Sequence, residues 1–269
     1  YSHFDNDEIA EEWKSSVGEF IGKKVDKEGG QVNVVRQAGF GASQEVNSLA
    51  GDTNAQYDFG EILPKTWSMC TVSRYTGVHR RRIFLGSGNF VHGHHDNMRG
   101  VAFYDKWMTS KSNRGDPLNW LIMCGTNDGE RVYADGVNIA IENRQGYSGS
   151  KHVSINFAPE GACCGDLTSD WAVAEVMTWD RALTSTEMVV ASKYLELKIL
   201  GAADLTSAYT EERKSERLRG LSSKGVPVSG LSAWFPSATA DIFGWTDVVN
   251  GRRSQVISGD VGISSYAGY

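Results

Sequence analysis

The sequence predicts a mainly β chain built as an antiparallel β-sandwich, and three observations carry that reading. Short apolar runs of alternating character recur between residues 30 and 180, separated by turns bearing Gly, Asn and Asp. Glycine is abundant at 30 residues and proline scarce at 5, beside 8 Trp, 10 Tyr and 10 Phe. That balance suits short strands joined by tight turns. The hydrophobic period changes from strand-like to helix-like only after Trp179, at the end of the longest alternating run.

Taken in order, residues 1–29 form a polar, acidic segment in which Ile9, Trp13, Val17, Phe20 and Ile21 keep a weak helical spacing. Residues 30–200 form the sandwich. Gln31 to Val35 is a strand, followed by the turn Ala38-Gly39-Phe40-Gly41, and Ala55 to Gly60 is another. Trp67 to Tyr75 alternates, with Trp67, Met69, Thr71, Ser73 and Tyr75 on one face and Ser68, Cys70, Val72 and Arg74 on the other. Arg82 to Leu85, Phe90 to His94 and Gly100 to Tyr104 follow at similar spacing, and Asn119 to Cys124 is strongly apolar. Arg131 to Ala134 and Val137 to Ile141 flank Asp135-Gly136, a pair that supplies the positive φ angles of a primed hairpin turn. Val153 to Phe157 is a strand. In Trp171 to Trp179 the spacing puts Trp171, Val173, Glu175, Met177 and Trp179 on one face. Thr184 and Glu187 then form a capping box for a helix with Met188, Ala191, Tyr194, Leu195 and Lys198 on its repeating face, ending at Leu200-Gly201. Residues 201–228 read as a spacer, with a charged helix over Leu205 to Leu218 and a Ser/Gly/Lys linker. Apolar, aromatic character returns in residues 229–269.

The bulk numbers exclude some functions. The net charge is −6 and basic residues are spread along the chain, so no basic face for nucleic acid is expected. The one basic cluster, His79-Arg80-Arg81-Arg82, reads as a solvated turn. No apolar run approaches the ~18 residues of a membrane span. The chain starts at Tyr1 with no secretory leader, as expected of a processed protein or a piece of a longer one. Of four cysteines, Cys70 and Cys124 sit inside strand patterns, either as two buried thiols or as a disulfide between neighbouring strands. Cys163 and Cys164 are adjacent, which favours external pairing or free thiols over a bond to each other.

The run from Trp171 through Glu175, Trp179, Arg181 and Leu183, continuing to Tyr194-Leu-Glu-Leu-Lys198, resembles the closing segment of laminin G-like domains, an "E-V-x-x-W/Y-x-R-x-L" strand followed by a helix ending in "Y-L-x-x-K". Arg131-Val-Tyr-Ala-Asp-Gly136 resembles that family's "V-Y-x-D-G" hairpin, and Trp67 to Tyr75 its "W-x-x-x-x-V" strand. The resemblance spans residues 30–200 and implies a concanavalin A-like jelly roll, an extracellular or cell-surface setting, and calcium as a possible rim ligand. Where this strand leaves the sheet, Glu175 or Asp180 is expected to pair with Arg181 near the surface. Leu231-Ser-Ala-Trp-Phe-Pro236 resembles the family's entry strand. Residues 229–269 therefore either open a second repeat, with a period of about 230 residues, or dock on the first sandwich.

The superfamily includes glucanases, whose retaining chemistry needs two carboxylates about 5 Å apart. The face carrying Glu175 continues as Met177 and Trp179, so the second carboxylate is missing. The expectation is therefore a non-catalytic recognition, adhesion or structural module of a larger, repetitive protein, with a glycan-cleaving enzyme as the alternative. Glycan or neighbouring copies are the expected partners. Tyr104, Trp107 and Trp120 flank the polar loop Thr109 to Asp116 as a candidate sugar platform, or else they pack in the core. His92, His94 and Asp96 alternate along a strand, either as a metal-binding row or as a polar rim turn. Asp96, Asp128 and Asp135 lie in turns suited to calcium, without a spacing that identifies a site.

Overall fold

In a computed structural model the described residues are 11–142, 144, 146, 149–163, 167–200, 230–236, 245–246 and 253–254. In chain order they form β1 (Glu12–Lys14), β2 (Ile21–Val25), β3 (Asn33–Gly39), β4 (Ala42–Gly51), β5 (Gln56–Leu63), β6 (Ser68–Arg80), β7 (Phe84–Gly86), β8 (Phe90–His95), β9 (Met98–Tyr104), β10 (Leu121–Thr126), β11 (Val132–Ala134), β12 (Val137–Asn138), β13 (Lys151–Ile155), β14 (Ser169–Trp179), α1 (Ser185–Leu200) and β15 (Leu231–Pro236). Trp245–Thr246 and Arg253–Ser254 make a separate short ladder. The expected spacer helix at Leu205 to Leu218 lies outside the described residues.

The fold is the expected mainly β sandwich, curled, with one short helix among the described residues. A smaller sheet runs β1-β2-β5-β13-β7, and a larger one β12-β11-β10-β6-β14-β4-β3. Between them lies an aromatic-rich core that includes Trp13, Tyr57, Phe59, Trp67, Tyr75, Phe90, Tyr104 and Trp171. The opposite face of the larger sheet carries a second apolar cluster. There Met188, Ala191 and Leu195 of α1, with Leu183, cover Cys70, Val72, Cys124, Met177 and Trp179. α1 starts as the capping box requires: the Glu187 amide donates to the Thr184 hydroxyl, and the Thr184 amide to the Glu187 carboxylate. Asp135 and Gly136 both have positive φ, at 49° and 78°, and close the β11–β12 hairpin as their types predict.

Three elements depart from the sequence reading. Residues 11–29, the described part of the N-terminal segment, form no helix. β1 and β2 form a hairpin on β5, and Trp13 is buried against Tyr57 and Phe59 at centroid separations of 6.5 and 6.0 Å. Edge pairing plus burial of one indole outweighs a weak helical spacing. β4 escaped the sequence reading because its outer part, Ser-Gln-Glu, faces solvent.

β14 does not keep one face. A register shift between Val173 and Glu175 places Trp171, Val173 and Val176 in the inter-sheet core, while Ala172, Ala174, Met177 and Trp179 turn toward α1. One extra residue in a strand reverses its alternation. Glu175 thus lies fully buried, paired with Lys198 of α1. Of the partners expected for Arg181, Glu175 turns to Lys198 while Asp180 still acts on the guanidinium, and Arg181 also donates to both carboxylate oxygens of Glu187, at 2.9 and 2.7 Å.

β6 takes one whole edge of β14. On the other edge, β4 pairs with Trp171–Val173 and β15 with Glu175–Trp179. Leu231–Pro236 therefore docks on the last core strand of the sandwich.

Candidate functional site

β6 is the longest strand, and its last residues overrun the sandwich: burial is complete through Tyr75, whereas Thr76, Val78 and His79 are exposed. The β8–β9 hairpin bends back against this overhang. Its turn residues Asp96 and Asn97 both take positive φ, at 46° and 62°, which their short polar side chains tolerate. Two backbone bonds clamp the turn in place, from the Asp96 amide to the Arg81 carbonyl (3.2 Å) and from the Asn97 amide to the Arg80 carbonyl (2.7 Å). Side chains repeat the clamp. Arg81 Nη1 donates to Asp96 Oδ1 at 3.0 Å, and Arg80 Nη1 to Asn97 Oδ1 at 3.0 Å.

The result is an open groove of about 780 Å³ lined by Thr53, Val78, His79, Arg80, Arg81, Asp96, Asn97 and Thr168. On its β14 side, Asp170 accepts from the His79 amide at 2.9 Å and lies 3.3 Å from His79 Nδ1. Gly77 permits that approach, since a Cβ there would fall 2.3 Å from Asp170 Oδ2. The solvated basic turn of the sequence reading is thus a built rim.

His95 joins the groove to an aromatic surface. Its Nε2 lies 3.4 Å from Asp96 Oδ2 and its ring packs 5.8 Å from Trp107. Trp107, half-buried, meets Phe103 edge-on at 5.3 Å, and Lys111 Nζ sits 4.6 Å over its ring. Burial pulls the His95 imidazole below the ordinary histidine range; Asp96 opposes this, and Arg82, Lys111 and Arg81 add to it. His95 Nδ1 is buried without a hydrogen-bond partner.

The expected platform of Tyr104, Trp107 and Trp120 does not assemble. Tyr104 is wholly buried in the main core, 4.9 Å from Trp67, with its hydroxyl 2.9 Å from His92 Nδ1. Trp120 packs in the cluster on the α1 side, where Arg74 lies between its ring and that of Phe40. Only Trp107 reaches the surface, because it caps the hairpin from outside.

The metal row does not converge either. His92 spends its nitrogens on Tyr104 and the Met123 carbonyl, His94 packs edge-on against Tyr75 at 4.8 Å, and Asp96 faces Arg81. A register shift between Gly93 and His94 breaks the row. Of the turn aspartates suited to calcium, Asp135 is held by Arg99 at 2.7 Å. Among the described residues no three His, Cys, Asp or Glu side chains are grouped to hold a metal.

Cys70 and Cys124 oppose each other on β6 and β10, with Cα atoms 4.1 Å apart, and form a disulfide. Cys163 is also disulfide-bonded rather than a free thiol. No described helix is long and apolar enough to cross a membrane.

No family model matches the chain, and no curated protein does. Among solved structures, it is similar to domain 4 of AbnA, an extracellular GH43 arabinanase of Geobacillus stearothermophilus in complex with arabinotriose, at 13% identity and TM-score 0.45, covering 70% of this chain and 100% of that one. It is also similar to a mutant Trypanosoma rangeli sialidase displaying trans-sialidase activity (10% identity, TM-score 0.38) and to Trypanosoma rangeli sialidase itself (11%, 0.35). Each of these two matches covers 62% of this chain and 30% of the sialidase. The matches correct one expectation. They are parts of an arabinanase and of sialidases, so the exclusion of enzymatic activity drawn from the sequence falls.

Proposed function

We propose that the chain is a glycan-recognition sandwich of the laminin G-like, concanavalin A-like kind, part of a larger extracellular protein, and that it takes its ligand at the rim. One observation carries this reading. The contact chain Trp107–His95–Asp96–Arg81 joins a half-exposed indole directly to a polar groove. Sugars are held by that combination, an apolar ring for their C–H faces and fixed polar groups for their hydroxyls. The extracellular setting is supported by the Cys70–Cys124 disulfide and the disulfide-bonded Cys163, since such bonds persist in oxidising compartments.

A glycan array, run with and without calcium, tests the reading with wild type and Trp107→Ala. Binding of defined glycans that falls about tenfold in the variant is expected, the loss of roughly one stacking contact. Absence of binding to any glycan, or binding indifferent to Trp107, contradicts it.

A further inference from the structure

Several cations gather at the rim groove. Arg81 is paired with Asp96, and Asp170 lies beside the His79 ring, which is charged only when protonated. Arg80 stands apart: its Nε donates to the Gly77 carbonyl at 2.7 Å and its Nη1 to Asn97 Oδ1 at 3.0 Å, both neutral acceptors. No carboxylate among the described residues pairs with it, and its Nη2 has no protein partner there. The guanidinium is therefore fixed in direction by two bonds while its charge and one fork nitrogen remain available. Close by, Arg82 is buried and bonded to Asn89 Oδ1 and the Phe90 carbonyl, again neutral groups. Lys111 adds a fourth cation beyond Trp107. This local excess sits on a chain whose net charge is −6, which disfavours anion binding elsewhere on the surface. The downward pull of Arg82, Lys111 and Arg81 on His95 reports the same field.

Thr53 and Thr168 line the groove with Arg80, and Val78, 83% exposed, forms its apolar lip. Thr168 is held there because Ser169 pairs with Arg80 in the β6–β14 ladder. A fixed guanidinium fork with neighbouring hydroxyl donors matches an oxyanion.

We propose that the groove recognises an acidic glycan, with Arg80 binding the oxyanion, a carboxylate or a sulfate ester, and Trp107 the sugar ring. This deepens, and rests on, the glycan reading above.

The test measures binding of three probes at low salt: a polygalacturonate oligosaccharide, the same oligosaccharide with its carboxyls reduced to alcohols, and a sulfated oligosaccharide. Wild type is expected to bind at least one acidic probe about tenfold to a hundredfold more tightly than the reduced one, an advantage that shrinks with added salt. Arg80→Gln should remove that advantage, bringing the acidic probe down to the affinity of the reduced one, and Arg80→Lys should retain part of it. Preference for the uronate assigns a carboxylate, and preference for the sulfated probe a sulfate. An unchanged melting temperature in both variants keeps the loss from being one of folding. Equal binding of the reduced and acidic probes overturns this inference and leaves the glycan reading standing, as does full retention of the preference in Arg80→Gln. Failure of wild type to bind any glycan, on the array or among these probes, overturns both.

Discussion

The face of the larger sheet under α1 and the rim where β6 overruns the sheet carry the same kinds of side chain, and they dispose of them oppositely. Under α1, Glu175 is fully buried and paired with Lys198, and the disulfide partner Cys124 lies beside Ser192. Arg181 and Glu187 hold each other at the helix start. These charged groups are used up in attaching the helix. At the rim, Arg81 bonds Asp96 and Arg80 bonds Asn97, yet Arg81, Asp96 and Asn97 remain exposed, and Arg80 keeps its charge. Carboxylates and guanidiniums become structure when a helix covers them. They stay available for a ligand when the strand outruns its cover.

The contrast predicts unequal costs of substitution. Trp171→Ala, which empties the inter-sheet core and removes the indole's bond to the Ala55 carbonyl, should cost about 3–5 kcal/mol in denaturant titration. A near-zero shift would misplace β14. Lys198→Met should cost about 3–5 kcal/mol by removing the cation that faces the buried Glu175 carboxylate, and adding Glu175→Gln should restore part of the loss. A single variant as stable as wild type would mean that α1 does not seal that face.

Acid sharpens the comparison through groups that are buried without charge. His92 is held down to about 4, by burial first and against the Met123 carbonyl's contribution; His94 is held down to about 3, by burial first, then by Arg99 and His92. A folded-state value below the unfolded ~6.5 means that the unfolded chain takes up the proton more readily. The stability these imidazoles provide is complete above pH ~6.5 and is lost as the pH falls toward 4, on the order of 3 kcal/mol for His92. Melting temperature should fall over that window, and more gently in His94→Leu. A flat profile would place the β8–β9 hairpin in water. At the rim, Arg81→Gln should change stability by no more than about 0.5 kcal/mol, since it removes one exposed ion pair; a large loss would make the rim a structural joint.

The sequence exposed the sandwich, the capping box and the Asp135-Gly136 turn because those are local patterns. It did not expose the reversal at Glu175, since one bulge residue leaves no mark in the alternation of Trp171 to Trp179. Tyr104 and Trp120 read as platform residues because they flank a polar loop, and only the packed core reveals that both point away from it. The rim stayed hidden for another reason. Arg80 and Asn97 are 17 positions apart and meet only because β6 overruns the sheet while the β8–β9 turn bends back to it. The available signal was a basic run at the end of the longest strand, opposite an Asp-Asn turn prone to positive φ.

Amide hydrogen exchange with and without the tightest-binding glycan from the array tests the central claim most directly. The account predicts new protection confined to residues 78–81, the 95–97 turn and the segment around Trp107, with α1 and β10 unchanged. Protection centred on α1 or on the β11–β12 hairpin, with the rim unaffected, would contradict it.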